Sequence, residues 1–235
     1  MYKIFIIIFA LFSNNLNAKE SWREFNIQYN LQKSGITFAV SNNKFYKEKD
    51  YWFFEIISKT AGIMKLKEDH RFERSKFILS DNNLKTLSYV FKGKKKDKLI
   101  NIRTEINEGK KSFSIKNGVE ISHDLNKNWY DRLSVQIDLR EKIKNGIYNN
   151  TYTVLDKGRE RIYIFKYVKS EEIETIFGKT KTIVIHKIIT EKNDKINKRN
   201  TLTWYAINHN FIPVKIEQYR KKSLKFTADI SKMIK

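Results

Sequence analysis

Three acidic residues, Glu171, Glu172 and Glu174, are the first candidates for chemistry because they lie within four positions of one another. Glycoside hydrolases use two carboxyl groups about 5–10 Å apart, one of which protonates the leaving group. The same acids would also balance local positive charge beside a turn expected at Phe177-Gly178. We favour this second interpretation and predict a protein that is not an enzyme. An envelope hydrolase that uses Glu171 and Glu174 remains the alternative.

Three arginines, Arg159, Arg161 and Arg199, are the second candidates, because arginine is scarce in this chain and suits bidentate recognition of phosphate or carboxylate. They could form an anion-binding site. They could equally pair with acids on neighbouring strands, for which Glu160, Glu171 and Glu174 are available. We favour the structural pairing and keep the anion site as a prediction.

Metal and cofactor chemistry finds little support in the sequence. The four histidines lie at positions 70, 123, 186 and 209, without the short spacing that places two ligands on one helix face or strand. There is no cysteine, no Gly-x-Ser-x-Gly nucleophile motif and no glycine-rich phosphate loop. We therefore predict neither a metal site nor a cofactor.

The composition indicates a folded, strongly basic protein. Of 235 residues, 40% are hydrophobic and 14% aromatic, which excludes a disordered chain, and the lack of cysteine excludes a disulfide scaffold. The formal net charge is +21, and only ten of the 47 basic residues are arginine. This charge fits a solvated basic surface, or an anionic partner such as a membrane surface. Nucleic acid is not expected as a partner of an exported protein.

The N-terminus predicts that export. Lys3 precedes an apolar run at residues 4–12, and Leu16-Asn17-Ala18 offers a cleavage site. This is the layout of a secretory signal peptide, and the run is too short to span a bilayer. We predict a signal peptide at residues 1–18, a periplasmic location, and a single β-rich domain over residues 19–235.

Alternating hydrophobicity predicts β-strands through most of the remaining chain. Apolar residues recur with period two at Phe25, Ile27, Tyr29 and Leu31, and many later segments show the same pattern. Further alternating runs are Ile36-Phe38-Val40 and Thr182-Val184-His186-Ile188. Residues 131–144 differ: their spacing and the stop at Gly146 predict a helix, although Val135 and Leu139 also permit a strand. The expected fold is mostly β (α+β), a single large curved antiparallel sheet or half-barrel with one helix packed against it.

Some predicted strands are apolar on both faces, as at residues 51–57. Either the helix and loops cover such a sheet, or the sheet curls around a cavity for a hydrophobic ligand. We predict a periplasmic envelope protein that binds a lipid or another hydrophobic molecule; a purely structural or interaction protein of the envelope is a further alternative. The predicted ligand-binding side chains are Phe38, Phe53, Phe54, Tyr163, Phe165 and Trp204.

Short motifs in a fixed order resemble the DUF3108 family of exported bacterial proteins of unknown function. They span most of the chain: Tyr29, Gly35, Ala61-Gly62, Asp131-x-Leu133-Ser134, Gly146, Gly158-Arg159-x-Arg161-x-Tyr163-x-Phe165, Glu171, Thr175, Gly178, Thr203-Trp204-x-Ala206 and Pro213-Val214-x-Ile216. The resemblance implies a periplasmic, mostly antiparallel β protein, and it supplies no catalytic residues.

Overall fold

The computed structural model describes residues 22–62, 69–80, 83–95, 98–106, 112–124, 128–191 and 196–234. The predicted signal peptide at residues 1–18 lies outside these residues. The described elements are β1 (Phe25–Lys33), β2 (Ile36–Glu48), β3 (Tyr51–Thr60), β4 (His70–Ser80), β5 (Asn83–Lys95), β6 (Lys98–Glu105), β7 (Ser112–Lys116), β8 (Val119–His123), β9 (Tyr130–Asp131), α1 (Ser134–Lys144), β10 (Asn150–Leu155), β11 (Glu160–Thr175), β12 (Gly178–Thr190), β13 (Ile196–Ala206), β14 (Ile212–Arg220) and β15 (Ser223–Met233).

All the described strands belong to one sheet, in the order β8-β7-β6-β5-β4-β3-β2-β1-β15-β14-β13-β12-β11-β10-β9. Strands β1 to β8 form one antiparallel meander and β10 to β15 form another. The first and last strands join the two halves, because β1 pairs antiparallel with β15. Among the described strands, β9 and β10 are the one pair that is parallel. The predicted fold class, a large curved antiparallel sheet with one helix, is confirmed.

The sheet curves until its two ends face each other without closing. At one place the Ser75 hydroxyl of β4 donates to the Asp131 carboxylate of β9. At another, His123 Nδ1 of β8 lies 3.6 Å from Glu160 Oε1 at the start of β11. These contacts hold β4 and β8 of the first half close to β9 and β11 of the second half. The concave side of the sheet therefore becomes an enclosed interior.

Helix α1 lies in that interior and packs against both halves. Val135, Leu139 and Ile143 join the hydrophobic cluster of β10 to β13. Leu133 and Ile137 join the cluster formed by side chains of β2 to β6. The predicted helix is confirmed, and the competing strand at Val135 and Leu139 is wrong, because these residues form the second apolar face of the helix.

The helix begins three residues later than predicted because Asp131 belongs to β9 and caps the helix from outside. Its Oδ1 accepts hydrogen bonds from the backbone N–H groups of Leu133 and Ser134, at 2.6 and 3.0 Å. These groups have no partner within a helix, so a carboxylate before the first turn stabilises it. Together with the Ser75 contact, this carboxylate fixes the start of the helix to β4.

The Asp131 carboxyl should make stability depend on pH in an unusual direction. Burial raises its pKa from 3.8 to about 6, against the lowering effect of its hydrogen bonds. The folded state therefore binds a proton more readily than the unfolded chain between about pH 4 and pH 6. This contribution to the free energy of unfolding increases as the pH falls through that window and is lost above it.

The test is Asp131→Asn, which keeps an acceptor for the two N–H groups but cannot ionise. We expect the variant to gain about 2 kcal/mol relative to the wild type between pH 4 and pH 7. Urea denaturation of both proteins at several pH values measures this difference. A difference that stays constant across the range would contradict the assignment.

Candidate functional site

The concave side of the sheet encloses a cavity between the two halves, which we call the interior cavity. Its volume is about 240 Å³ for water-sized occupants. Strands β1 to β4 form one wall, β11 to β15 form the other, and the start of α1 borders it. Apolar lining residues are Tyr29, Leu31, Ile56, Phe165, Ile185, Tyr205, Pro213, Ile216, Phe226 and Ala228; polar ones are Ser41, Asn43, Ser58, Arg71, Glu73, Arg132, Gln136, Lys187, Thr201, Thr203 and Gln218.

Small side chains in adjacent strands explain why this space is not filled. Ser41 of β2 lies between Tyr29 of β1 and Ser58 of β3 in the strand register, and the two serines bond to each other at 3.0 Å. On the other side of β1, Ala228 of β15 lies opposite Leu31. Because side chains on one face of neighbouring strands lie close together, these small residues leave a gap above the sheet. The larger residues around it include apolar ones, such as Leu31 and Phe165, and charged ones, such as Arg71.

A second, more open space adjoins the interior cavity; we call it the cationic cleft. Its volume is about 500 Å³, and four residues line both spaces: Arg132, Lys187, Thr201 and Gln218. Seven basic side chains border the cleft, namely Lys116, Arg132, Lys157, Arg159, Arg161, Lys187 and Arg199. Among the residues that the structure describes, two acids, Asp156 and Glu191, border it. The interior thus has a part with mixed apolar and polar walls and a strongly positive part, in contact with each other.

The acids of the cleft are already engaged. Asp156 Oδ2 lies 3.3 Å from Arg161 Nη1, and Asp156 Oδ1 lies 3.7 Å from Arg132 Nε. Burial would raise the pKa of Asp156, but Arg132 and Arg161 hold it below its ordinary value. Glu191 lies 3.7 Å from Arg161 Nη2. The two carboxylates are therefore bound by arginines, and Asp156 and Glu73 compensate the charges of Lys157 and Lys187 only from a longer distance.

The lysines of the cleft are held in unfavourable surroundings for a charge. Desolvation, and then the nearby Arg132, lower the pKa of Lys187 to about 8. The same two causes lower the pKa of Lys157 to about 8. Their ammonium groups lie over aromatic rings, Lys187 Nζ at 5.1 Å from the Tyr163 centroid and Lys157 Nζ at 3.4 Å from the Phe91 centroid. Such contacts offset part of the lost hydration of a cation.

The three arginines predicted as an anion site come together in this cleft. Arg159, Arg161 and Arg199 all border it, although they lie on the β10–β11 turn, on β11 and on β13. Arg161 pairs with Asp156 and Glu191, not with the predicted Glu160, Glu171 or Glu174. Sequence reasoning missed Lys157, Lys187 and Arg132, since a single basic residue in a lysine-rich chain gives no signal of its own.

The six predicted apolar residues are not brought together. Phe165 lines the interior cavity and Tyr163 lines the cleft. Phe54 is buried in the core cluster beside Phe45. Phe226 lines the cavity, and Phe38 contacts the Phe226 ring from outside the set of lining residues.

Phe53 and Trp204 lie on the convex face of the sheet. The Phe53 ring stacks on Tyr46 with centroids 5.4 Å apart. Thr203 and Tyr205, the neighbours of Trp204 in the chain, both line the cavity. Because side chains alternate between the faces of a strand, the Trp204 side chain points away from the cavity. The Trp204 indole N–H donates to Glu171 Oε1 at 2.6 Å.

Glu171 and Glu174 do not form the pair that a hydrolase needs. Three positions apart on β11, they project from opposite faces of the strand. Glu171 accepts from Trp204 and from Lys169 Nζ at 2.8 Å, and these hydrogen bonds lower its pKa. Glu174 is exposed. The two carboxyl groups therefore cannot flank one scissile bond.

A buried serine, histidine and acid form a cluster that sequence reasoning missed. Ser114 Oγ lies 2.8 Å from His123 Nε2 and 2.8 Å from Thr104 Oγ1, and His123 Nδ1 is 3.6 Å from Glu160. The order resembles a nucleophile, base and acid. However, Ser114 is fully buried, so a substrate cannot reach its oxygen. The cluster instead connects β6, β7 and β8 to the start of β11.

The part of the chain that the structure describes bears on metal binding and on membrane crossing. Within it, no group of three or more His, Asp or Glu side chains could hold a metal ion. Among the same residues, no helix has the length and hydrophobicity needed to cross a bilayer.

Comparison with known proteins gives a family and a fold. Residues 24–229 match DUF3108, described as a protein of unknown function. No curated protein matches the sequence. A beta-barrel-like protein from Brucella abortus, of the domain of unknown function DUF1849, has a similar crystal structure: the TM-score is 0.59 at 12% identity, over 89% of this chain and 96% of the other. At that identity the likeness concerns the fold alone.

Two further crystal structures are more distant. One, from Bacteroides fragilis, is provisionally described as an exported protein with a YmcC-like fold; the TM-score is 0.37 at 12% identity, over 89% of this chain and 95% of the other. Another, from Parabacteroides distasonis, is provisionally described as a lipoprotein; the TM-score is 0.40 at 9% identity, over 91% and 96%.

Proposed function

Because the chain belongs to the DUF3108 family, whose activity is unknown, we propose a function from the geometry of its interior. We propose that the protein is exported to the periplasm and holds a lipid or another hydrophobic molecule in the interior cavity. The observation that carries this proposal is a concave sheet face that its own side chains leave unfilled, although apolar residues line much of it. Concave spaces that combine apolar walls with polar groups able to orient a ligand are a usual form of ligand sites.

The N-terminal sequence supports the location. A positive residue, a nine-residue apolar run and a small residue at position 18 together have the layout of a secretory signal peptide. An exported protein works next to membranes, where hydrophobic guests are available. The cavity and the export signal therefore support the same proposal independently.

Filling the cavity should remove binding without unfolding the protein. Ala228 lines the cavity, and its neighbour Thr227 does not, because alternate residues of β15 face opposite sides of the sheet. We expect Ala228→Trp to weaken binding of a fluorescent fatty acid by about tenfold or more, since the indole occupies the guest's space, whereas Thr227→Trp should bind as the wild type does. Probe titration, with circular dichroism as a folding control, measures both.

The guest itself can be identified by native mass spectrometry of protein purified from the periplasmic fraction. We expect a co-purifying hydrophobic molecule on the wild type and on Thr227→Trp, and its absence from Ala228→Trp. A wild-type protein that carries no guest and takes up no probe would overturn the proposal. That result would favour a structural or interaction role in the envelope.

A further inference from the structure

We propose that the molecule held in the interior cavity is an amphiphile with a phosphate-bearing headgroup, and that the cationic cleft binds this headgroup. This inference rests on the proposed function, because it assigns the second half of the same guest. The two spaces share the walls formed by Arg132, Lys187, Thr201 and Gln218. An amphiphile could therefore place its acyl part against apolar residues and its phosphate among the basic ones without leaving the interior.

The charge balance of the cleft indicates an anion. Among the described residues, seven basic side chains and two carboxylates border it, and a third carboxylate, Glu73, lies 3.2 Å from Arg132 on the side of the interior cavity. Asp156 is shared between Arg132 and Arg161, and Glu191 pairs with Arg161. A cluster with so large an excess of one sign repels itself unless an opposite charge joins it. A guest with a phosphate would supply that charge.

Lys187 is the residue that best connects the two spaces. It lies on the boundary between them, and in the described part of the chain its ammonium has no carboxylate within ion-pair distance. Desolvation and the nearby Arg132 already lower its pKa. A phosphate bound beside it would compensate a charge that the folded protein otherwise leaves poorly compensated.

Arg161 leaves a donor available in the same place. Its two Nη atoms are near Asp156 and Glu191, while its buried Nε has no hydrogen-bond partner among the residues that the structure describes. A buried donor left unsatisfied is unfavourable, and a bound acceptor would remove that penalty. Phosphate suits such a site because its oxygens accept from several lysine and arginine donors at once.

The experiment compares two lipids that differ only in the phosphate. Dioctanoyl phosphatidic acid and dioctanoylglycerol carry the same acyl chains, and calorimetry measures the affinity of the purified protein for each. We expect the wild type to bind phosphatidic acid about tenfold or more tightly than the neutral lipid. Lys187→Met should weaken binding of phosphatidic acid about tenfold and leave the neutral lipid unaffected. The effect of Arg159→Gln, on the exposed rim, should be about three- to fivefold.

Lys166→Met is the matched control, because Lys166 is exposed on β11 and lies outside the residues that border the cleft. It should leave both affinities unchanged. Equal wild-type affinity for the two lipids, or equal weakening of both by Lys187→Met, would overturn the headgroup assignment while leaving the proposed function intact. Inorganic phosphate that binds as tightly as phosphatidic acid would also overturn it, in favour of a free anion. Binding of neither lipid would refute the proposed function itself.

Discussion

Replacing Leu139 with alanine is expected to lower the free energy of unfolding by about 3–4 kcal/mol. Leu139 is fully buried and packs with Val154, Phe165 and Ile185 in the cluster of the second half of the sheet. Truncation removes apolar contacts and leaves a cavity that a sheet held by its strand pairing cannot close. Urea denaturation monitored by circular dichroism and tryptophan fluorescence measures the loss.

Ile137→Ala extends this test to the other half of the sheet. Ile137 is buried against Phe45, Phe77 and Tyr89, whereas Leu139 faces the opposite half. If the helix joins the two halves, each truncation should cost about 2–4 kcal/mol, and Leu139→Met, which conserves volume, should cost less than about 1.5 kcal/mol. A helix attached to one half only would show a loss near zero for one of the two truncations.

The sequence pattern predicted the elements better than it predicted their faces. The alternation of β1 and the helical spacing from Leu133 to Ile143 are local properties, and both elements are confirmed. Faces are harder to assign when both sides of a strand are apolar. In β12 the alternation at Thr182, Val184, His186 and Ile188 is regular, but the residues that face the interior are Ile183, Ile185, Lys187 and Ile189.

Bulges and long-range pairing account for most of the remaining differences. The register between β1 and β2 shifts between Leu31 and Gln32, opposite Phe38. The register between β11 and β12 shifts between Tyr167 and Lys169. Each bulge changes which residues share a face beyond it. The pairing of β1 with β15 joins residues about 200 positions apart, and no local pattern reports such a contact. The sequence thus suggested the three arginines of the cleft but not the lysines that meet them.

Lys187 is one of the residues that sequence reasoning missed. We expect Lys187→Met to stabilise the protein in the absence of a ligand. Methionine fills a similar volume without a charge, so it removes the penalty of holding an ammonium beside Arg132. A shift of the pKa from 10.5 to about 8, discounted for the partial exposure of this side chain, corresponds to a gain of about 2–3 kcal/mol at pH 7. Cavity filling is one common source of stabilisation; this substitution would instead act by removing a partly buried charge.

The dependence on pH distinguishes this explanation from better packing. The pKa of Lys187 is lower in the folded state, so the wild type releases its proton first and becomes more stable as the pH rises from about 8 to about 10.5. The extra stability of Lys187→Met should therefore be complete below about pH 8 and should shrink as the pH rises to about 10.5. The free energy of unfolding of Lys166→Met should differ from that of the wild type by less than about 0.5 kcal/mol at every pH. An advantage that does not change with pH would mean that packing, not charge, separates the two proteins. If Lys187→Met both stabilises the protein and weakens ligand binding, the wild type keeps a lysine that lowers the stability of its fold. That combination is expected of a binding residue.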